Sequence, residues 1–341
     1  MAFFDYDLPA DLIAQQPPAQ RGESRLLALN RATGEMSHRH FRALPELLRP
    51  GDLLILNDTR VLPARLVGRR ENSGGQWQGL FLAEHPGGLW EMMCQTRRKP
   101  RPGEFIQIEP GPLRLELIEK TPSAIWLVRP DRPGSLVELL TAHGRMPIPH
   151  YIRKGLADDD DEQRYQTVFA RQPGAIAAPT AGLHFTTDLF ERLKDRSIEW
   201  AYLTLHVGIG TFLPIRTEDY RQHVMHREWG ELPAATVESI QACRARAGRV
   251  VAVGTTSVRV LETVAATGPI RPWSGQTDLF IYHPFEFRAV NALITNFHLP
   301  RSTLLLLVGA FAGADRLRAA YAAAVEREYR FYSYGDAMYI E

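Results

Sequence analysis

Hydrophobic runs and polar breaks give this chain two textures, the second interrupting the first. Residues 9–16 read as a short helix stopped by Pro17-Pro18, residues 26–29 as a strand, and residues 41–48 as a helix ended by Pro50-Gly51. The apolar run Leu53-Leu54-Ile55-Leu56 then empties into Asn57-Asp58-Thr59-Arg60, the pattern of a buried strand opening into a polar loop. From Ala64 to Pro130 the period shortens to two. Alternating segments at 65–69, 77–84, 89–96, 105–109, 113–120 and 124–129 are separated by turn signals such as Asn72-Ser73-Gly74-Gly75, Pro86-Gly87-Gly88 and Pro110-Gly111-Pro112. Short strands at that spacing predict a small antiparallel barrel.

The first texture then returns. Helices are expected at 135–143, 187–196, 236–247, 304–311 and 315–328, with another opening at Thr255; strands are expected at 200–207, 250–254, 278–282 and 290–295. The predicted architecture is an α/β main domain, residues 1–63 and 145–341, carrying an inserted small antiparallel β-barrel domain, residues 64–144. A length of 341 residues suits two such units.

Composition narrows the classes. Lys and Arg number 40 and Asp and Glu 39, a net charge of +1, so no global field announces a nucleic acid and any RNA contact must use a local patch. Within the barrel region that patch is Arg97-Arg98-Lys99-Pro100-Arg101, which suits either a solvated hairpin tip or a phosphate contact. Two cysteines, Cys94 and Cys243, are too few for a disulfide framework or a cysteine zinc site, which points to a reducing compartment. The start, Met1-Ala2-Phe3-Phe4-Asp5-Tyr6-Asp7, carries acids where a secretory signal carries bases, and the apolar run 304–311 is far short of the roughly 20 residues that span a bilayer. A soluble, cytoplasmic protein without membrane contact is expected.

Candidate chemistry gathers beyond the predicted strands, where open α/β sheets bind ligands. Asn57, Asp58, Thr59 and Arg60 are such candidates, although Asp58 and Arg60 equally suit a turn pair. Ala177-Ala178-Pro179-Thr180-Ala181-Gly182-Leu183-His184 and Leu205-His206-Val207-Gly208-Ile209-Gly210-Thr211 each set a histidine beside hydroxyls and glycines. Small residues admit a ligand close to the backbone, and imidazole exchanges a proton near neutral pH; the competing reading is tight turns and core histidines. Gly208 and Gly210 lack the third glycine and helix of a dinucleotide loop. Thr255-Thr256-Ser257 bring three hydroxyls and free N–H groups to a helix start, a receptor for carboxylate or phosphate. Asn296-Phe297-His298 follows another strand, and the aromatic segment 329–338 suits either stacking on a base or sealing a domain edge. The acidic run 158–162 lacks the alternation of a calcium loop and reads as a solvated or helix-leading loop. His223, His226 and Glu228 fall short of a zinc ligand set, so no metal is expected.

With these motifs in order, the chain resembles the S-adenosylmethionine:tRNA ribosyltransferase-isomerase family of queuosine biosynthesis. The matches include Phe4-Asp5-Tyr6-Asp7-Leu8-Pro9, Asn57-Asp58-Thr59-Arg60-Val61, Ala178-Pro179-Thr180-Ala181-Gly182-Leu183-His184-Phe185 and His206-Val207-Gly208 with Gly210-Thr211-Phe212. They continue through His226 with Glu228, Gly254-Thr255-Thr256-Ser257-Val258-Arg259, Thr295-Asn296-Phe297-His298-Leu299-Pro300 and Tyr334-Gly335-Asp336-Ala337-Met338. The resemblance implies transfer and isomerisation of the ribosyl moiety of S-adenosylmethionine, the co-substrate, with no recycled cofactor. The acceptor it implies is the 7-aminomethyl-7-deazaguanine wobble base of a tRNA, the products epoxyqueuosine-tRNA, adenine and methionine, and the working form is expected to be a monomer.

That chemistry needs proton transfer at the ribose C5′ beside the sulfonium and at departing adenine. His184 and His206 are the first pair considered, with Asp58 a competing base and His298 a competing acid. Arg60 or Arg259, with Thr255, Thr256 and Ser257, is expected to receive the methionine carboxylate, and Asp336 to balance a cation. Tyr332 and Tyr334 are candidates to stack on the base. Thr180, Gly182, Gly208, Gly210, Thr211 and Asn296 complete the expected substrate site, and Arg97, Arg98 and Lys99 the expected tRNA contact. Two rivals stand beside this reading. An S-adenosylmethionine-dependent RNA methyltransferase would need an early glycine-rich nucleotide loop, and a non-enzymatic tRNA-binding module would rest on the barrel and its basic cluster.

Overall fold

The computed structural model describes residues 5–208, 217 and 219–341. In chain order, β1 (Arg25–Leu29) and β2 (Met36–His40) form a hairpin, and α1 (Leu44–Leu47), β3 (Leu53–Asn57) and β4 (Thr59–Val61) follow. Six strands then close a barrel: β5 (Arg65–Arg70), β6 (Gln76–His85), β7 (Leu89–Thr96), β8 (Phe105–Ile108), β9 (Arg114–Lys120) and β10 (Trp126–Pro130). After α2 (Leu136–His143) and α3 (Asp161–Arg164), the body resumes with β11 (Gln172–Ala175), α4 (Thr187–Asp195), β12 (Glu199–Leu205), β13 (Glu228–Leu232) and α5 (Ala234–Ala245). It ends with β14 (Val250–Val253), α6 (Thr255–Ala265), β15 (Trp273–Thr277), β16 (Ala292–Asn296), α7 (Thr303–Ala312), α8 (Ala314–Glu326) and β17 (Ala337–Ile340).

The body holds a nine-stranded sheet in the order β15-β13-β12-β3-β14-β16-β17-β1-β2. Its centre, β12-β3-β14-β16, is parallel throughout, so those strands end on the same side. Burial on both faces explains their unbroken apolar runs. On β3, Leu53 and Ile55 join the core beneath α5 to α8, while Leu54 and Leu56 join the opposite core with Phe41, Phe185 and Phe190.

The barrel matches the expected insertion. Trp77, Phe81, Trp90, Ile106 and Leu115 fill it, and Gly79 is small because a Cβ there would come within 2.2 Å of the Trp77 ring. Where the insertion leaves and rejoins the body, Arg65 and Arg145 exchange backbone hydrogen bonds of 3.1 and 2.8 Å. Ile176 of the body packs into the same barrel core.

Several expected elements shift. The strand expected at 278–282 lies earlier, as β15, and β2, β13 and β17 were not anticipated. The sequences Trp273-Ser274-Gly275-Gln276-Thr277 and Met36-Ser37-His38-Arg39-His40 form sheet edges, half-solvated and therefore poor in apolar residues. The helix expected at 9–16 is one 3-10 turn, Ala10–Leu12. Among the described residues, no helix is long and apolar enough to cross a membrane.

Candidate active site

The carboxyl ends of β14 and β16 form one wall of a cleft. β14 delivers Gly254, Thr255 and Thr256 into it, and β16 delivers Thr295 and Asn296, followed by His298. The opposite wall comes from Ala178, Pro179, Thr180 and Ala181, which enter a 3-10 turn, Thr180–His184. Tyr151 and Tyr332, ring centroids 4.8 Å apart, close one side. Gly254 takes φ +88°, a region that favours glycine, and this turn starts α6 with no side chain capping its first N–H groups.

His298 faces this cleft. Its Nε2 lies 2.8 Å from Thr295 Oγ1, its N–H donates to Tyr321 Oη at 2.8 Å, and its carbonyl accepts from Tyr6 at 2.6 Å. Burial lowers its pKa to about 3, so the imidazole is neutral at pH 7. Beside it, Asn296 is 2% exposed and donates through Nδ2 to the Tyr332 carbonyl at 3.0 Å, while its Oδ1 has no hydrogen-bond partner among the described residues. Thr256 Oγ1 is likewise buried and without one.

His184 stands behind Asn296 instead of lining this cleft. Its Nε2 lies 3.3 Å from Asn296 Nδ2, its Nδ1 lies 2.6 Å from Ser24 Oγ, and its ring stacks on Phe41. Burial lowers its pKa to about 4, and nearby Arg21 adds to that shift. His206 occupies a different place. Its Nδ1 lies 2.8 Å from Thr59 Oγ1, its ring stacks on Trp229, and a Cβ on Gly174 would come within 2.6 Å of Nε2. Burial lowers its pKa and the Asp58 charge opposes this. The two histidines share no hydrogen-bond partner, so the expected pair is not one constellation.

Other expected site residues are committed elsewhere. Asp58 accepts from Thr204 Oγ1 at 2.7 Å and Arg171 Nη2 at 3.0 Å, so each of its oxygens already holds a protein donor. Arg60 is exposed and lines a separate groove between barrel and body. Arg259 is buried against Glu228, whose other oxygen accepts the Gly208 N–H at 2.7 Å, so this guanidinium is committed to that carboxylate and does not line the cleft. Ser257 donates to the Val253 carbonyl at 2.8 Å, the ordinary bond of a hydroxyl inside a helix.

Tyr334 is buried, donates to Asp161 at 2.5 Å, has its pKa raised by burial and by that contact, and meets the Tyr165 ring edge-on. Asp161 itself is fully buried and opens α3, so of the two readings of the run 158–162 the helix-leading one fits it and the solvated one does not. Asp336 accepts from the backbone N–H of Arg25 and of Arg330, both at 2.8 Å, and pairs with the Arg25 guanidinium. Gly182 admits no Cβ, which would meet Phe169 and Thr167 at 2.8 Å. Gly210 and Thr211 lie outside the described residues. Arg97, Arg98 and Lys99 are exposed between β7 and β8. Among the described residues, no group of three or more His, Cys, Asp or Glu could hold a metal.

Sequence reasoning passed over Tyr151, Thr295, Ser302 and Ser24.

Fold and cleft together define an α/β enzyme with an inserted β-barrel. The chain belongs to the queuosine biosynthesis family: the family model described as queuosine biosynthesis protein matches residues 1–340. It is 50% identical to the S-adenosylmethionine:tRNA ribosyltransferase-isomerase of Symbiobacterium thermophilum, over 99% of this chain and 98% of that one. Identity to the protein of that name from Geotalea uraniireducens is 48%, over 99% and 98%. A crystal structure of S-adenosylmethionine tRNA ribosyltransferase from Thermotoga maritima is 38% identical, with a TM-score of 0.58, covering 99% of this chain and 100% of that one.

Proposed function

We propose that this chain transfers and isomerises the ribosyl moiety of S-adenosylmethionine onto the 7-aminomethyl-7-deazaguanine wobble base of tRNA, as a cytoplasmic monomer. The products are epoxyqueuosine-tRNA, adenine and methionine. The observation that carries this reading is the cleft at the ends of β14 and β16, where a neutral histidine sits beside polar atoms without protein partners. The relatives' shared name supports the same reaction.

A sulfonium acidifies the adjacent C5′–H, and departing adenine takes up a proton. The proton removed equals the proton required, so one imidazole can carry both tasks in turn. His298, neutral and lining the cleft, suits that role better than His184 or His206. Arg97, Arg98 and Lys99 supply a phosphate contact for the tRNA, a salt-sensitive contribution.

The deciding experiment incubates the protein with S-adenosylmethionine and precursor tRNA and quantifies small products. Adenine and methionine in equal amounts are expected. S-adenosylhomocysteine would indicate methyl transfer, and tight tRNA binding without turnover would indicate a binding module. Replacing Arg97, Arg98 and Lys99 with alanine should flatten the salt dependence of tRNA affinity; an unchanged slope returns the cluster to an ordinary hairpin tip.

A further inference from the structure

One carbonyl fixes a chain of proton positions. The Tyr332 carbonyl can only accept, so the Asn296 atom 3.0 Å from it must be the amide nitrogen. His184 Nε2 faces that same nitrogen at 3.3 Å and must therefore be an acceptor, which puts the imidazole proton on Nδ1, donated to Ser24 Oγ at 2.6 Å. The amide is locked in one sense, and its Oδ1 is buried and without a partner among the described residues, on a residue that lines the cleft. Tyr332 holds its carbonyl in place from φ +72°, a conformation costly for a residue with a side chain.

The neighbouring strand end is complementary. β14 and β16 are adjacent parallel strands, about 4.8 Å apart. A helix start with no side-chain cap among the described residues therefore lies one strand spacing from a buried acceptor, and Thr256, whose Oγ1 also has no partner among them, lines the same cleft. The helix start favours an anion and Oδ1 favours a cationic donor. One carbon bearing both groups is an α-amino acid.

We infer that this corner of the cleft is a subsite for an α-amino-acid head group, with the α6 N-terminus receiving the carboxylate and Asn296 Oδ1 the ammonium. His184 is then a positioning residue that keeps the amide from turning over. The inference rests on the reading that S-adenosylmethionine occupies the cleft, and assigns its methionyl end.

Calorimetric titration of the full chain tests it with four probes: L-methionine, 4-(methylthio)butanoate, 3-(methylthio)propylamine and adenine. Methionine should bind wild type roughly 10- to 100-fold tighter than the butanoate, which lacks the ammonium. In Asn296→Ala the two should bind within about threefold of each other, the size of a lost hydrogen bond being removed from one ligand only. Equal binding of both by wild type, a comparison that needs no variant, overturns the subsite. So does an Asn296→Ala variant that weakens adenine and spares methionine. His184→Phe should raise KM for S-adenosylmethionine while the pH profile of kcat keeps its shape; a collapse of kcat at unchanged KM overturns the positioning role. Adenine release with tRNA is scored separately, so methionine discrimination without turnover preserves the subsite and rejects the reaction.

Discussion

β3 and β12 end beside β14 and β16, on the same side of one sheet, and all four strands run into polar residues. Their fates differ. At β3 and β12 the polar groups satisfy one another: Asn57 bonds the backbone of Leu205, Asp58 holds Arg171 and Thr204, and Thr59 meets His206. At β14 and β16, Asn296 Oδ1 and Thr256 Oγ1 are buried and have no partner among the described residues. A buried polar atom without a partner costs about 1–3 kcal/mol, a cost a folded protein tolerates where a ligand supplies the missing bond. One half of the sheet end is therefore stitching and the other half is receptive.

His298→Ala tests that division most severely. It should lower the rate of adenine release by about 10²–10⁴-fold, the usual range for a positioned acid–base group, with far-UV circular dichroism unchanged. A rate within threefold of wild type would move the chemistry to the other half. The next effect is on stability. Burial holds His184 and His298 at about 4 and about 3, below the ordinary 6.5, so below pH 6.5 the unfolded chain binds protons that the folded chain refuses. Their stabilisation is fully present above pH 6.5 and is lost as pH falls toward those values, about 3 kcal/mol for His184 and about 5 kcal/mol for His298. Denaturant midpoints measured from pH 7 to 4 should fall, and less steeply in His298→Ala; parallel curves would refute the assignment. Smallest is Asp58→Ala, about 1–3 kcal/mol in stability because Arg171 is largely solvated, with adenine release per folded molecule within threefold of wild type. A large catalytic loss in that variant would erase the contrast between the two halves.

Periodicity read the fold well wherever a segment carried its own reason to exist. The barrel strands alternate because one face meets Trp77 and Trp90, and β3 is apolar throughout because both faces are covered. Strand ends were equally legible, and they mark the side of the sheet on which the cleft opens. Which polar residues remained free was not, because the partners that occupy them are remote. Arg171 reaches Asp58 across 113 positions, Asp161 reaches Tyr334 across 173, and Asp336 reaches Arg25 across 311. Local reading saw charged and hydroxyl groups; distant pairing decides whether they have anything left to offer. β17 escaped notice for a related reason, since its residues read as the end of an aromatic tail.

That strand governs how the sheet can be finished. Ala337–Ile340 lies between β16 and β1, paired to both, and it is the piece that connects the N-terminal hairpin to the parallel centre. During synthesis, β1 and β2 emerge first yet have no berth until these residues leave the ribosome more than 300 positions later. A message cut short just before Ala337 would yield two halves of a sheet with exposed, unsealed edges, a substrate for chaperones and proteases.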